Sequence, residues 1–162
     1  MADPTILTVT SDPRFLEILR GQLHEQFPGG TRMIVAATID EACSLLPMSR
    51  PRLLVVHWSR HGCHMKDLDR LLWATTVLAR EVPVLVIADR YRIDQATMLY
   101  RMGVREYIGR NQHADQLGRV LDSHLRRPGS GPRPVATAEG SSAAPKPWVA
   151  ATASQGVKAQ VV

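Results

Sequence analysis

Five short apolar runs, rich in β-branched residues, constrain the possible folds more than any other feature of the sequence. They are ILTV at Ile6–Val9, MIVA at Met33–Ala36, LLVV at Leu53–Val56, VLVI at Val84–Ile87 and the pair Tyr107–Ile108. Runs of strand length that are apolar throughout are typical of strands covered on both faces, as in a parallel sheet. The pattern therefore predicts five buried strands.

Segments with helical periodicity follow each of these runs. The apolar residues of the first segment recur every four positions, as Phe15, Leu19, Leu23 and Phe27, and those of the last are Leu117, Val120, Leu121 and Leu125. The predicted helix boundaries are Asp12 as an N-cap with Pro13 after it, a capping box from Thr38 to Glu41, Asp67 and Asp94 as later N-caps, and Gly103 as a helix stop.

Strands that alternate with helices predict a doubly wound α/β domain with a five-stranded parallel sheet over residues 1–127. In such domains, sites form in the crevice at the carboxyl ends of the strands. The candidate site residues are therefore those that follow the apolar runs, namely Thr10, Ser11, Asp12, His57, Ala88, Asp89 and Arg110.

The composition changes at Pro128. From there to Val162 the chain is rich in Ala, Pro, Gly and Ser and has no helical or strand period, which predicts a disordered tail at 128–162. Trp148 is the one bulky side chain of this tail. We interpret Trp148 as an unstructured residue; a short docking element is the alternative.

Composition and charge exclude several classes of protein. Two cysteines are too few for a disulfide scaffold, and no apolar stretch approaches the roughly 18 to 20 residues of a membrane span. With no signal-peptide pattern at the start, a soluble cytoplasmic protein is expected. The net charge of +5 is scattered along the chain, whereas DNA-binding surfaces cluster their basic residues, so a nucleic-acid partner is not expected.

Four segments resemble the receiver domains of bacterial two-component response regulators. They are ILTVTSDP near the start, PRLLVVHW, PVLVIAD and GVREYIGRN. The last is the most specific, because it is similar to the receiver pattern of Gly-Ala, two variable residues, Tyr, a hydrophobic residue, a variable residue, Lys and Pro. The resemblance covers residues 4 to 126 and implies a flavodoxin-like (βα)5 sandwich.

The resemblance also implies a chemistry that this chain departs from at nearly every position. Receivers accept a phosphoryl group from a histidine kinase on an Asp, and Mg²⁺, a Thr or Ser and a Lys stabilise its charge. Here the Mg²⁺-binding acidic pair falls on Thr10 and Ser11 with Asp12 beside them, the phosphoacceptor on His57, the switch positions on Ala88 and Tyr107, and the Lys on Arg110. We expect a pseudo-receiver that is not an enzyme, with no cofactor and with Mg²⁺ binding disfavoured.

His57 leaves two alternatives open. The first is that His57 is itself phosphorylated, since imidazole is a competent phosphoryl acceptor in a prepared site. The second is that the His57 side chain only fills the pocket that holds the phosphoacceptor in receivers, and the missing Mg²⁺ ligands favour this second alternative. His57, His61, Cys63 and His64 also form a local cluster of metal-binding residue types. Their spacing matches no zinc pattern, so we interpret them as loop residues and expect no metal site.

Two functional hypotheses follow, with a third from another class. In the first hypothesis, the chain binds protein partners in a two-component pathway, such as a histidine kinase or another regulator, and takes up no phosphate. In the second hypothesis, the chain is still phosphorylated, at His57. The third hypothesis is a nucleic-acid-binding regulator that uses its basic charge and its tail. The face around Tyr91, Tyr100 and Tyr107 is rich in Arg and suits either a protein interface, including one for a homodimer, or an ordinary solvated surface.

Overall fold

A computed structural model describes residues 3–59, 64–78 and 82–126. The strands are β1 (Thr5–Val9), β2 (Arg32–Ala36), β3 (Leu53–Trp58), β4 (Val84–Ala88) and β5 (Glu106–Gly109). The helices are α1 (Pro13–Gln26), α2 (Ile39–Ser49), α3 (Met65–Leu78), α4 (Ile93–Met102) and α5 (Ala114–Leu125). Strands and helices alternate as predicted.

All strand pairs are parallel, and the strand order is β2-β1-β3-β4-β5. The predicted doubly wound, flavodoxin-like fold is thereby confirmed. Between β1 and β3 the chain order reverses direction across the sheet, and the crevice of such a fold opens at this point. His57 lies within β3, paired with Ile87 of β4, and not after the strand as the apolar run predicted.

The core has two layers, one on each face of the sheet, because successive side chains of a strand point to opposite faces. On β3, Leu54 and Val56 pack in the layer under α2, α3 and α4, whereas Leu53 and Val55 pack in the layer under α1 and α5. All four are fully buried. This two-sided burial is the physical reason why the strands read as uninterrupted apolar runs.

Two of the four predicted N-caps are confirmed. Asp12 accepts from the N–H of Arg14, and Thr38 accepts from the N–H of Glu41. The other two predictions are wrong: α3 begins two residues before Asp67, and α4 is preceded by Arg92, which caps without its side chain. Carboxylates also stabilise the first turn from inside it, through the helix dipole, so their presence did not locate the caps.

Gly103 ends α4 as predicted, with a φ of 102° and its N–H bonded to the carbonyls of Leu99 and Tyr100.

Among the described residues, no helix is long and apolar enough to cross a membrane. The predicted tail at 128–162, with Trp148, lies outside the described residues, and the boundary at residue 127 stays a prediction.

Candidate functional site

His57 lies at the carboxyl edge of the sheet, where the crevice was expected. Its side chain is only 4% exposed. The aromatic ring of Phe15, on α1, stacks against the imidazole with centroids 4.1 Å apart and an interplanar angle of 3°. This places a polar ring in a nearly dry position, so both of its nitrogens need hydrogen-bond partners.

Both imidazole nitrogens have such partners. Thr10 Oγ1 lies 3.1 Å from Nδ1, and Asp89 Oδ1 lies 3.4 Å from Nε2. Thr10 Oγ1 also accepts from the N–H of Asp12 at 3.0 Å, so its own proton is free to point at His57. A neutral ring with its proton on Nε2 then satisfies every group, with Thr10 donating to Nδ1 and Nε2–H donating to the carboxylate.

Burial lowers the pKa of His57 below 6.5, and it outweighs the hydrogen bond and the charge of Asp89, which act in the opposite direction. The neutral tautomer derived from the hydrogen bonds is therefore also the one that desolvation favours. The charge of Asp12 raises the pKa and that of Arg110 lowers it, both as smaller contributions.

Arg110 contacts both carboxylates of the site. Its Nη2 lies 3.0 Å from Asp89 Oδ1, and its Nη1 lies 3.9 Å from Asp12 Oδ2. The N–H of Arg110 donates to the carbonyl of Ala88 at 2.7 Å, which anchors the base of the side chain to the end of β4. One guanidinium therefore lies between the two carboxylates at this edge of the sheet.

The donor set does not fit a Mg²⁺ ion. Magnesium requires near-octahedral coordination by hard oxygen ligands and is usually held by carboxylates. Asp12 caps α1, and the carboxylate of Asp89 faces a guanidinium and an imidazole N–H. A cation here would have to displace Arg110, and Thr10 adds only a hydroxyl that is already engaged with His57.

The remaining candidate positions are less involved in this cluster. Ser11 is exposed beside it, and Ala88 is buried at the end of β4 with no side-chain polar group to offer. Tyr107 is buried on the other side of the sheet from His57. Its hydroxyl accepts from the N–H of Arg92 at 3.3 Å and lies 3.1 Å from Gln95 Oε1, so Tyr107 is hydrogen-bonded both to the residue before α4 and to the first turn of α4.

A second contact joins the loops that follow β4 and β5. The N–H of Tyr91 donates to Gln112 Oε1 at 2.5 Å, and the ring of Tyr91 packs edge-on against His113. The N–H of Gly109 donates to His113 Nδ1 at 3.0 Å. A Cβ at Gly109 would lie 2.7 Å from the nitrogen of Tyr91, so the approach of the two loops requires a glycine.

The sequence predicts Thr10, Asp12, His57 and Arg110 as separate candidate positions, but not the contacts through which Asp89 joins His57 and Arg110. The sequence identifies Asp89 as a strand-end residue, but not as the carboxylate partner of His57. One feature of the sequence could have predicted this contact. His57 and Asp89 each lie at the carboxyl end of an apolar run, and the carboxyl ends of adjacent parallel strands meet at one edge of the sheet. Of the four residues in the His/Cys cluster, His61 and Cys63 lie outside the described residues, and the remaining pair does not test the prediction.

No protein-family model matches the sequence, and no curated protein does. Several solved structures are similar in fold. The signal receiver domain of a DNA-binding response regulator from Colwellia psychrerythraea has 18% identity and a TM-score of 0.63 over 75% of this chain and 97% of that one. The signal receiver domain of a putative Luxo repressor protein from Vibrio parahaemolyticus has 22% identity and a TM-score of 0.60, covering 76% and 91%.

The receiver domain of the sensor histidine kinase PA1611 from Pseudomonas aeruginosa has 17% identity and a TM-score of 0.61, covering 76% of this chain and 98% of that domain. That structure holds a magnesium ion coordinated in its active site cleft. Near-complete coverage of each of these domains, together with the strand order 2-1-3-4-5, leads to one conclusion: this chain has the fold of response regulator receiver domains.

Proposed function

We propose that the chain is a receiver-like regulatory module that takes up no phosphoryl group and acts by binding other proteins in a two-component pathway. The observation that carries the proposal is the closed set of contacts around His57. Each ring nitrogen has a partner within the domain, and Arg110 lies between Asp89 and Asp12. In the proposed account, the contacts with Arg110 and His57 occupy the strand-end carboxylates and keep them from accepting a phosphoryl group or holding Mg²⁺.

Tyr107 and Arg110 supply a second line of support. In active receivers, phosphorylation biases an equilibrium between two states. Here Arg110 supplies a permanent positive charge at the strand end, and Tyr107 is buried with its hydroxyl hydrogen-bonded to the segment before α4. The domain would then hold one conformation without modification, and its output would depend on whether a partner is present.

Phosphorylation of His57 is the second candidate, and one observation favours it. Asp89 Oδ1 faces Nε2, and a carboxylate in that position orients an imidazole and makes its other nitrogen more nucleophilic. The other nitrogen is Nδ1, which faces Thr10 Oγ1 in a site that is 4% exposed. A phosphodonor would have to displace both Thr10 and the stacked ring of Phe15, which is why this candidate ranks second.

The binding proposal is tested on the unmodified protein. The affinity of the chain for the histidine kinases and response regulators of its host is measured by isothermal calorimetry, with and without Mg²⁺ and acetyl phosphate. We expect at least one of these proteins to bind with the same affinity under both conditions. Failure of all of them to bind, or a change of tenfold or more on adding Mg²⁺ and the phosphodonor, would contradict the proposal.

A further inference from the structure

We infer that the groove between α3 and the end of α4 binds an acidic segment of a partner protein, with an apolar side chain of that segment packed on Trp73. This inference deepens the proposed function and rests on it, since it assigns a surface to the partner. The groove lies at the amino ends of β4 and β5, whereas His57 lies at the carboxyl edge of the sheet, and His124 of α5 also lines it.

The groove has a volume of about 910 Å³, near the upper end of the range for protein binding pockets. Its floor is apolar and is formed by Leu72, Val84 and Met102. Trp73 forms part of its wall and is 66% exposed. An indole so exposed beside a concave apolar floor is unusual for a purely solvated surface and is the side chain that most often anchors a protein interface.

The charged side chains of the groove are mostly positive. Among the described residues, Lys66, Arg70 and Arg105 line it, against the single carboxylate of Asp69. Arg70 is already engaged, at 2.5 Å from Asp40 Oδ1. Within the part of the chain that the structure describes, Lys66 and Arg105 form no ion pair. Two uncommitted cations beside an exposed indole are complementary to carboxylates flanking an apolar residue.

The chain itself does not supply such a segment. Residues 127–162 carry four basic side chains and one acidic one, so their charge repels the rim of the groove. A second copy packed symmetrically on the same groove would bring Lys66 and Arg105 against each other. An acidic segment of a different protein avoids both conflicts, and we commit to that occupant.

The test is an NMR titration of the ¹⁵N-labelled full chain with a short amidated peptide of repeating Glu and Leu residues. A peptide with Lys in place of Glu is the control. We expect saturable shifts at the indole N–H of Trp73 and at the amides of Thr76, Gly103 and Arg105 with the acidic peptide only. Because these residues line one groove, their shifts should follow a single binding curve.

Substitutions distinguish binding of the peptide in the groove from nonspecific electrostatic attraction to the protein. Trp73→Ala should weaken binding roughly thirtyfold, as expected for an interface hot spot, and Arg105→Glu by about tenfold, as for a rim charge. The matched controls are Ile93→Ala and Arg101→Glu, which remove an exposed apolar side chain and reverse an exposed charge on α4 outside the groove. Both controls should bind the peptide as the unaltered chain does.

Three results would overturn the inference. They are no shift at Trp73 at millimolar peptide, equal losses in Arg105→Glu and Arg101→Glu, and Trp73 shifts that depend on protein concentration alone, which would indicate a second copy in the groove. Each leaves the proposed function standing if the kinase and regulator assay is positive. Conversely, phosphorylation of the chain would contradict the proposed function without changing the peptide titration.

Discussion

The carboxylate of Asp89 binds the guanidinium of Arg110 at 3.0 Å, through the same oxygen that faces the imidazole of His57. One oxygen thus links a cation at the solvent edge to a buried neutral ring. The arrangement uses the strand-end charges for contacts within the domain, where a receiver that transfers phosphate needs them for a metal ion and a phosphoryl group.

Asp89→Asn tests this link directly. The substitution removes the charge that raises the pKa of His57 and replaces the carboxylate acceptor by a weaker, neutral amide oxygen, while the desolvation that lowers the pKa remains. We expect the pKa of His57, followed by NMR of its ring protons, to fall below its value in the unaltered chain. Asp115→Asn, on the exposed first turn of α5, is the matched control and should leave the titration of His57 unchanged. A rise in the pKa after Asp89→Asn would contradict the proposed contact.

Stability should decrease in mild acid because of two histidines. Burial lowers the pKa of both His57 and His124 below 6.5, and Nε2 of His124 is buried with no hydrogen-bond partner among the residues that the structure describes. The unfolded chain therefore binds more protons than the folded one as the pH falls below 6.5, so the free energy of unfolding decreases in that range and is fully restored above it.

Urea unfolding measured between pH 7.5 and pH 5.5 checks this dependence. His57→Asn keeps an acceptor near Thr10 but does not titrate, and His124→Asn removes the second titrating group. Each variant should flatten the slope of stability against pH, and the double variant should flatten it further. A slope that is the same in the double variant and in the unaltered chain would show that other groups cause the effect.

Arg50→Gly should stabilise the protein. Arg50 ends α2 with a φ of 44°, and among the described residues it is the one residue other than glycine with a positive φ. A side chain costs about 1 kcal/mol in this conformation, so we expect a gain of roughly that size in urea denaturation. Arg52→Gly, in the ordinary backbone just before β3, should destabilise instead. Equal effects of the two substitutions would contradict the assignment.

Gly109→Ala should destabilise the protein by roughly 1 to 3 kcal/mol, the range for forced overpacking. The new methyl group would lie 2.6 Å from Gln112 Oε1 and 2.7 Å from the backbone nitrogen of Tyr91. The matched control is Gly118→Ala, inside α5, whose methyl group meets the movable end of the Gln26 side chain. Helix propensity favours Ala there, so the two substitutions should shift the thermal midpoint in opposite directions.

The fold was predictable because each of its signals is local. Apolar runs such as Leu53–Val56 mark buried strands, and Asp12 and Thr38 mark helix starts through contacts within three residues. The helix starts at Met65 and Ile93 were not predicted, because their nearby carboxylates stabilise the first turn without capping it.

The candidate site was predictable only as a set of positions. Which strand ends carry His57, Asp89 and Arg110 follows from the sequence and from its resemblance to receivers. That Asp89 contacts both of the others depends on side-chain directions across β3, β4 and β5, which no local pattern encodes. The stacking of Phe15 on His57 could not be predicted either, because Phe15 is one of several apolar residues spaced along one face of a predicted helix.

The absence of phosphoryl uptake is the central claim, and intact-mass analysis tests it most directly. The full chain is incubated with Mg²⁺ and either acetyl phosphate or phosphoramidate, beside His57→Ala and a phosphorylatable receiver that verifies the donors. We predict that the mass of the unaltered chain does not change while the reference receiver gains one phosphoryl group. A phosphoryl adduct on the unaltered chain that is lost in His57→Ala would contradict the account and make His57 the phosphoacceptor.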